Sequence, residues 1–368
     1  MSEFLSVLKN EERATLTLRS LYDSYGYFPF KMSKFEEYDL YVGNKDFLVS
    51  DRVITFNDTD GRLLALKPDV TLSIVKNTED SKGCVQKVYY NENVYRVSGA
   101  TGQFKEIMQT GIECIGDISE NDVFEVVYLA AKSLSLVSEE FVLDISHMGI
   151  LSSLVEAASE SELFKKEIFS LLAEKNAHEA VMVCRKYGVS EESTEIIKSL
   201  ASTYGDMTSV LAKLKPLCKT EKAVCAYNEL SSLADFLSAT EYAGRVRFDF
   251  SVVNNMNYYN GIVFRGFVSG ICEGVLSGGE YGKLLMGMGR DSGAIGFALY
   301  LDLLSELDAS RSEYDVDVLL LYSDSVCAKE LAAKKSEIIN SGRSVSAQRN
   351  VPDKLRYREK IVMEGESK

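Results

Sequence analysis

Two neighbouring stretches decide the fold of this chain, VQKVYYNENVY at residues 85–95 and IMQTGIECI at residues 107–115. They predict an antiparallel pair of β-strands, joined by a loop of small and polar residues. Because successive side chains of a strand point to opposite faces, Gln109, Gly111 and Glu113 are expected on one face of the sheet. That face therefore carries the first candidate binding residues.

Arg96 stands at the end of the first strand, close in the predicted hairpin to the face that carries Glu113. A buried acid and a buried arginine are costly unless they are paired or bound by a ligand. An amino acid offers both complements, because its ammonium group suits Glu113 and its carboxylate suits Arg96. A solvated face with a salt bridge explains the same residues, so the pattern leaves both interpretations open.

A strand-to-helix junction, LKPDVT at residues 66–71, precedes the hairpin. The pattern predicts a strand at 62–66 and a helix that starts near Val70. Asp69 and Thr71 can both point into a cleft and accept hydrogen bonds from an ammonium group. Ordinary capping of the helix by either residue is the alternative.

Farther along, NNMNYYNGIVF at residues 254–264 contains the adjacent tyrosines Tyr258 and Tyr259. Both phenols can face a ligand, or one ring can lie in the core and the other at the surface. Eleven of the 25 glycines fall between Gly261 and Gly296. Such a density is typical of tight turns and of close backbone approach, either to a flat ligand or between packed strands.

The composition is that of a globular protein with more than one domain: 368 residues, 46% hydrophobic and 26% charged. No run of about 18 apolar residues occurs, so no membrane span is expected. The net charge of −14 disfavours a nucleic-acid partner, although a local basic patch stays possible. Seven cysteines without a C-x-x-C pair and two histidines predict neither a disulfide framework nor a metal site, and both histidines are expected to be structural.

Strand patterns, a helical stretch and further strand patterns follow one another, which is an α+β order. Residues 150–243 are helical in pattern and predict an insertion between two parts of one domain, 1–149 and 244–307. A short α/β segment at 314–368 ends the chain. The other predicted elements are helices at 5–26, 124–136, 298–307 and 328–340, and strands at 141–145 and 316–321. Residues 247–268 again have strand character.

In their order and spacing these stretches resemble the catalytic domain of class II aminoacyl-tRNA synthetases, and within that class the histidyl branch, over residues 5–307. The resemblance implies an antiparallel sheet flanked by helices in a dimeric protein, and a C-terminal segment that resembles a truncated anticodon-binding domain. The stretches that carry it are the amino-acid-binding junction at 67–71, motif 2 at 96–113, the histidine-specific Asn257-Tyr258-Tyr259, and the start of motif 3 at Gly296-Phe297-Ala298.

Four departures concern the residues that the resemblance implies for ATP. Ser98 stands in place of a motif 2 glutamate, and Gln103 stands near the position of the motif 2 loop arginine. Asn254 replaces the arginine that opens the histidine-specific motif. Leu303 stands where motif 3 ends with an arginine that clamps ATP. Activation of an amino acid depends on cations that hold the triphosphate and offset charge at the α-phosphate. The departures therefore imply that this chain does not activate an amino acid.

The residues that the resemblance implies for the amino acid are kept. They form a predicted histidine-like pocket, without a catalytic residue, cofactor or metal: Asp69, Thr71, Arg96, Gln109, Glu113, Tyr258 and Tyr259.

This combination resembles the regulatory subunits of ATP phosphoribosyltransferase in histidine biosynthesis, which usually lack a full anticodon-binding domain. Asp69 in place of a synthetase glutamate, and the short tail after Arg311, suit that family. The resemblance implies a cytoplasmic, non-catalytic homodimer within a hetero-oligomer with the short-form catalytic subunit. It also implies a role in feedback by histidine, and neither tRNA nor a membrane as partner. An active histidyl-tRNA synthetase, or a relative that forms an aminoacyl-adenylate, is the alternative.

Overall fold

The predicted hairpin lies at the centre of a large sheet in the computed structural model, which describes residues 8–44, 52–79, 83–97, 101–253, 258–307 and 313–364. Strands Val85–Val97 and Phe104–Gly116 pair antiparallel along their whole length, with Tyr90 opposite Gly111. The predicted pair is therefore confirmed, and each strand is longer than the pattern indicated.

The hairpin strands belong to a sheet of nine strands among the described residues, in the order β1-β5-β6-β12-β11-β10-β7-β9-β8. The pairs from β5 to β7 across the sheet are antiparallel, while β1 pairs with β5 and β9 with β7 in parallel. The predicted α+β class with an antiparallel sheet is thus confirmed. In chain order the strands of the first 307 residues are β1 Phe28–Pro29, β2 Phe35–Glu37, β3 Thr55–Asn57, β4 Leu63–Leu66, β5 Val85–Val97, β6 Phe104–Gly116, β7 Phe141–His147, β8 Tyr204–Gly205, β9 Val246–Asp249, β10 Ile262–Val268, β11 Leu276–Glu280 and β12 Gly293–Tyr300.

Two long helices, Asn10–Ser24 and Glu120–Val137, cover one face of the sheet. Tyr22 packs against the strand residues Tyr89 and Phe297, with ring centroids 6.2 and 6.1 Å apart. Burial of each large apolar side chain contributes about 1.5–3 kcal/mol, so this layer is the main source of stability. Both helices were predicted; the second begins earlier than expected because Ser119 caps it.

The opposite face of the sheet carries a smaller apolar cluster around the helix Thr71–Asn77. Alternation along β6 separates the two layers, since Ile112 packs in the large core and Ile115 in the smaller cluster. A small sheet, β2-β4-β3, lies in this part of the chain, and its central strand β4 leads into the helix. The helix is thereby held over the face of the sheet that carries Glu113.

Between β7 and β9 the chain is almost entirely helical, and its buried side chains share one core with the large sheet. Contacts place these helices and the sheet in one compact unit, Met1–Leu307. None of the described helices is both long and apolar enough to cross a membrane. The helices of this segment are Met148–Ala158, Glu162–Ala173, Ala177–Lys186, Glu191–Leu200, Met207–Leu214 and Glu221–Ser238.

The predicted helix at 298–307 is wrong. Residues up to Tyr300 form β12, and a 3-10 helix, Leu301–Leu307, follows. The strand fits between β6 and β11, with Gly296 opposite both Glu113 and Gly279. Pairing with two neighbours therefore overrides the helical spacing of the leucines that follow. The strand character predicted over 247–268 is confirmed by two strands, β9 and β10.

The second compact unit, Asp308–Lys368, is a small α/β arrangement. Strands β13 (Val316–Tyr322), β14 (Val345–Gln348) and β15 (Tyr357–Met363) form a parallel sheet in the order β14-β13-β15. The helix Ala328–Asn340 packs on it through Ile338, which meets Val318 and Leu320. The helix predicted at 328–340 and the strand predicted at 316–321 are both confirmed.

Candidate functional site

A cavity of about 460 Å³ lies above the face of the large sheet that is opposite the two long helices. Residues from the hairpin, from the start of the helix Thr71–Asn77 and from strands β10 to β12 line it. The structure brings all seven predicted site residues together in its wall: Asp69, Thr71, Arg96, Gln109, Glu113, Tyr258 and Tyr259.

The floor of the cavity includes Gly296, and the nearby sheet glycines Gly111 and Gly279 also pack against side chains of the cavity wall. A Cβ at Gly296 would collide with the carboxylate of Glu113, and one at Gly111 with the phenol of Tyr90. A Cβ at Gly279 would come within 2.9 Å of the ring of Tyr259. The high glycine density therefore serves close packing of the cavity's own side chains onto the sheet, which the sequence pattern had left open.

Glu113 lies at the buried end of the cavity and is 2% exposed. Thr71 Oγ1 donates a hydrogen bond to its Oε1 at 2.8 Å, and the Tyr281 phenol donates to its Oε2 at 2.6 Å. Burial raises the pKa of Glu113 to about 8, although both hydrogen bonds oppose the rise. Burial therefore favours the protonated acid, and a cation bound beside it would favour its carboxylate form.

Asp69 and Arg96 form the neighbouring wall. Asp69 Oδ1 accepts a hydrogen bond from the backbone N–H of Leu72 at 2.9 Å, so it caps the helix while also lining the cavity. Arg96 Nε donates to the carbonyl of Pro68 at 2.7 Å, and its Nη2 lies 3.8 Å from Asp69 Oδ2. Burial raises the pKa of Asp69, and Arg96 works against that rise. Arg96 is therefore already engaged with the junction.

The tyrosine pair lies on one side of the cavity. The centroids of Tyr258 and Tyr259 are 4.5 Å apart, and the ring of Tyr281 lies 5.5 Å from that of Tyr258. Both residues of the pair line the cavity, so neither of them is a surface residue. Three adjacent aromatic rings form a wall that suits a flat or cationic group.

Gln109 lies on the same face of β6 as Glu113, as the alternation predicted. Its side chain is 2% exposed, and its Nε2 has no hydrogen-bond acceptor among the described residues. A buried amide donor without an acceptor is unfavourable, so Gln109 is suited to donate to a ligand.

Sequence reasoning missed Arg265, Tyr281 and Tyr300 as cavity residues. Arg265 interrupts the apolar strand β10, and the strand register places it in one row with Ser277 and with residues of β12 and β6. The lone charge within IVFRGFV, residues 262–268, is the one signal that pointed to it. Tyr281 directly follows the last residue of β11, but nothing in the sequence indicates that it reaches Glu113.

The positions that depart from the synthetase pattern do not line the cavity where the structure describes them. Leu303 packs against the large core from the 3-10 helix, and Gln103 is exposed before β6. Ser98 and Asn254 lie outside the described residues. Within the described cavity wall, Arg96 and Arg265 are the two cationic side chains.

His147 has a structural role at the end of β7. The N–H of Gly149 donates to its Nδ1 at 3.0 Å, and its Nε2 lies 3.0 Å from a carboxylate oxygen of Glu229. The ring thus caps the following helix, Met148–Ala158. Within the part of the chain that the structure describes, no group of three or more histidine, cysteine, aspartate and glutamate residues could hold a metal ion.

Comparison with known proteins agrees with this architecture. The sequence profile of the histidyl-tRNA synthetase family matches residues 6–304. The ATP phosphoribosyltransferase regulatory subunit of Caldanaerobacter subterraneus subsp. tengcongensis is 30% identical over 291 residues, which are 77% of this chain and 75% of that protein.

Two solved structures share the fold. An ATP phosphoribosyltransferase regulatory subunit/histidyl-tRNA synthetase from Bacillus halodurans has a TM-score of 0.77 and 23% identity, over 96% of this chain and 93% of that one. A chain of the ATP phosphoribosyl transferase (HisG:HisZ) complex from Thermotoga maritima has a TM-score of 0.62 and 20% identity, over 78% and 96%. This chain therefore belongs to the histidyl-tRNA synthetase family and, within it, to the ATP phosphoribosyltransferase regulatory subunits.

Proposed function

We propose that this chain is the non-catalytic regulatory subunit of an ATP phosphoribosyltransferase. In this role it binds the short-form catalytic subunit, supports the first step of histidine biosynthesis and makes that step sensitive to histidine. The observation that carries the proposal is a cavity whose seven predicted amino-acid contacts converge, in a member of a family named for regulation of that enzyme.

Histidine is the proposed ligand of the cavity. Its ammonium and imidazole groups suit the acidic end formed by Glu113 and Asp69, and its ring suits the wall of tyrosines beside Tyr258. Thr71 and Tyr281 orient the Glu113 carboxylate, so a cation that meets it gains a pre-organised acceptor. These contacts support recognition of a small cationic or zwitterionic amino acid.

The absence of catalysis is part of the proposal. Activation of an amino acid needs several cations on the triphosphate. Within the described cavity wall the cations are Arg96 and Arg265, and Arg96 already donates to Pro68. Removal of one such electrostatic contact in an enzyme costs about 2.7–4 kcal/mol of transition-state stabilisation. The active-synthetase alternative is therefore disfavoured.

Feedback requires that histidine bind one state of the complex better than another, because a ligand with equal affinity for both states shifts nothing. The cavity lies within the first compact unit, so bound histidine can bias the conformation of this subunit and, through it, the catalytic partner. We further propose a homodimer within a hetero-oligomer, located in the cytoplasm and without tRNA as a partner. Light scattering of the purified mixture gives the stoichiometry.

The decisive experiment measures the rate of the short-form catalytic subunit with ATP and phosphoribosyl pyrophosphate, with and without this chain, during a histidine titration. We expect a higher rate with this chain, and inhibition by histidine that depends on its presence. An unchanged rate and unchanged histidine sensitivity would contradict the proposal. Pyrophosphate exchange with histidine and ATP, measured on this chain alone, would instead support the synthetase.

A further inference from the structure

Arg265 projects from the centre of β10 into the cavity wall, where no acid among the described residues pairs with it. It makes no hydrogen bond or ion pair with the described residues, and its guanidinium lies 5.5 Å from the ring centroid of Phe267. Gly274 leaves room for it, because a Cβ there would collide with Arg265 Nε. The backbone conformation of Gly274 needs no glycine, so the space is the feature that the arginine requires.

A nearby acid does not account for Arg265 either. Asp144 is its neighbour on β7 in the strand register. Burial raises the pKa of Asp144 to about 6, and the cations that oppose this rise are Arg247 and Lys175. No ion pair joins Arg265 to Asp144 among the described residues, and Arg265 lines the cavity.

Gln109 supplies a second, independent observation on the opposite side of the cavity. It is 2% exposed, and its Nε2 is a buried donor without an acceptor among the described residues. The cross-strand partners of a residue form a row across the sheet. The row that contains Gln109 is next to the row that contains Arg265, and both lie on the same face of the sheet. Strands β6 and β10 are three strand spacings apart, about 14 Å, and the rows are offset by about 7 Å. Two side chains that extend toward each other across this distance can hold one small oxyanion between them.

We infer that Arg265 and Gln109 form an oxyanion subsite that binds the carboxylate of the amino-acid ligand. The inference rests on the proposed function of the cavity as an amino-acid site and names the group that each end recognises. Glu113 and Asp69 take the cationic end, and Arg265 takes the anionic end. Arg96, which the sequence pattern had paired with the carboxylate, is instead engaged with Pro68 and lies near Asp69.

A free phosphate shares the chemistry that Arg265 and Gln109 would recognise. The carboxylate is favoured because the acidic and basic groups line one continuous cavity of about 460 Å³. A zwitterion satisfies both ends at once, whereas an isolated phosphate would leave the buried acids without a cation.

The test is calorimetric titration of the full chain with L-histidine and with L-histidinol, in which a hydroxymethyl group replaces the carboxylate. In Arg265→Gln we expect the affinity for histidine to fall about tenfold or more, as for loss of a charge-assisted hydrogen bond, and that for histidinol to change little. Arg185→Gln is the matched control, because Arg185 is exposed on the helix Ala177–Lys186 and does not line the cavity. It should leave both affinities unchanged.

Gly274→Ala tests the same subsite without removing the arginine. It should displace Arg265 and lower the affinity for histidine more than that for histidinol. Gly244→Ala is the control and should change neither affinity, because a Cβ at this position would meet nothing within 4 Å. Gln109→Leu should also lower the affinity for histidine more than the affinity for histidinol. Arg265 is exposed and makes no hydrogen bond or ion pair with the described residues, so its variant should melt at the temperature of the wild type.

Several results would overturn the subsite. One is that Arg265→Gln lowers the affinities for histidine and histidinol equally, and another is that it lowers neither. A third is that inorganic phosphate binds together with histidine and that the variant weakens only the binding of phosphate. A wild-type chain that binds no histidine overturns the ligand assignment and this subsite together. The transferase assay, which needs no assumption about Arg265, decides separately whether the chain is a regulatory subunit.

Discussion

The phenol of Tyr281 and the carboxylate of Glu113 meet in a 2.6 Å hydrogen bond across the floor of the cavity, from β11 to β6. A second donor, Thr71, holds the other oxygen at 2.8 Å. Both donors favour the carboxylate, yet burial still raises its pKa to about 8. The acid is therefore balanced between its two protonation states at mildly alkaline pH.

Tyr281→Phe should weaken histidine binding at pH 7.5. The variant keeps the ring but removes the donor, so the carboxylate form of Glu113 loses a charge-assisted hydrogen bond worth about tenfold in affinity. Calorimetry measures the change. Tyr128→Phe is the matched control, because the Tyr128 phenol also donates to a carboxylate, that of Glu241 at 2.9 Å, but does not line the cavity. An equal loss in both variants would show that the hydroxyl on Glu113 has no special role.

Glu113→Gln should change how stability depends on pH. The pKa of Glu113 is about 8 in the folded chain against a reference value of 4.5. Between pH 4.5 and about pH 8, Glu113 is ionised in the unfolded chain but keeps its proton in the folded chain. The free energy of unfolding of the wild type therefore falls as the pH rises. Glutamine resembles the protonated acid and avoids this loss.

At pH 8.5 the Glu113→Gln variant should therefore exceed the wild type in free energy of unfolding by about 1 kcal/mol or more, while the two converge near pH 4. Urea denaturation between pH 4 and 9 measures both curves. The same variant should lose several-fold in histidine affinity at neutral pH. Parallel curves would mean that Glu113 is already ionised in the folded chain, and unchanged affinity would place the histidine site elsewhere.

Leu303→Arg should not restore synthetase chemistry. Leu303 packs against the large core from the 3-10 helix Leu301–Leu307 and does not line the cavity. A charge placed there loses apolar contacts and becomes partly desolvated, so we expect a loss of about 1–3 kcal/mol in the free energy of unfolding. Chemical denaturation and pyrophosphate exchange are the two measurements. Exchange activity in this variant would contradict the assignment.

Gly296→Ala should damage both the floor and the ligand site. Its Cβ would collide with the Glu113 carboxylate and crowd the backbone carbonyl of Ile112. Overpacking of this kind costs about 1–3 kcal/mol, and histidine affinity should fall because Glu113 must move. Thermal melting and calorimetry test both effects, with Gly244→Ala as the control. A variant with wild-type stability and full histidine affinity would show that the floor of the cavity can accommodate the added methyl group.

The sequence predicts the contacts that depend on local periodicity. Gln109 and Glu113 share a face because they alternate on one strand, and Asp69 lies in the short junction between β4 and the helix Thr71–Asn77, where the sequence predicted a helix start. Arg265 reaches the same cavity only through the pairing of β10, β11, β12 and β6, whose register is set by tertiary contacts. No local pattern contains that information.

The error at 298–307 has the same origin. The segment has leucines at helical spacing, but Gly296 and the residues up to Tyr300 fit between two strands that are far away in the chain. The tyrosine pair illustrates the opposite case. Tyr258 and Tyr259 were expected to alternate if they lay on a strand, but they precede β10, and both rings line the cavity.

The glycine at position 274 has a consequence for how the family diverges. The three atoms nearest to a Cβ there all belong to the side chain of Arg265, whereas at Gly111 the nearest atom is a backbone carbonyl oxygen. Positions 265 and 274 are therefore expected to covary. Lineages that keep the arginine should keep the glycine, and lineages that replace the arginine are free to fill the space. Counting which residues occur together at these two positions across the regulatory subunits would then separate chains that have an anion-binding wall from chains that lack it.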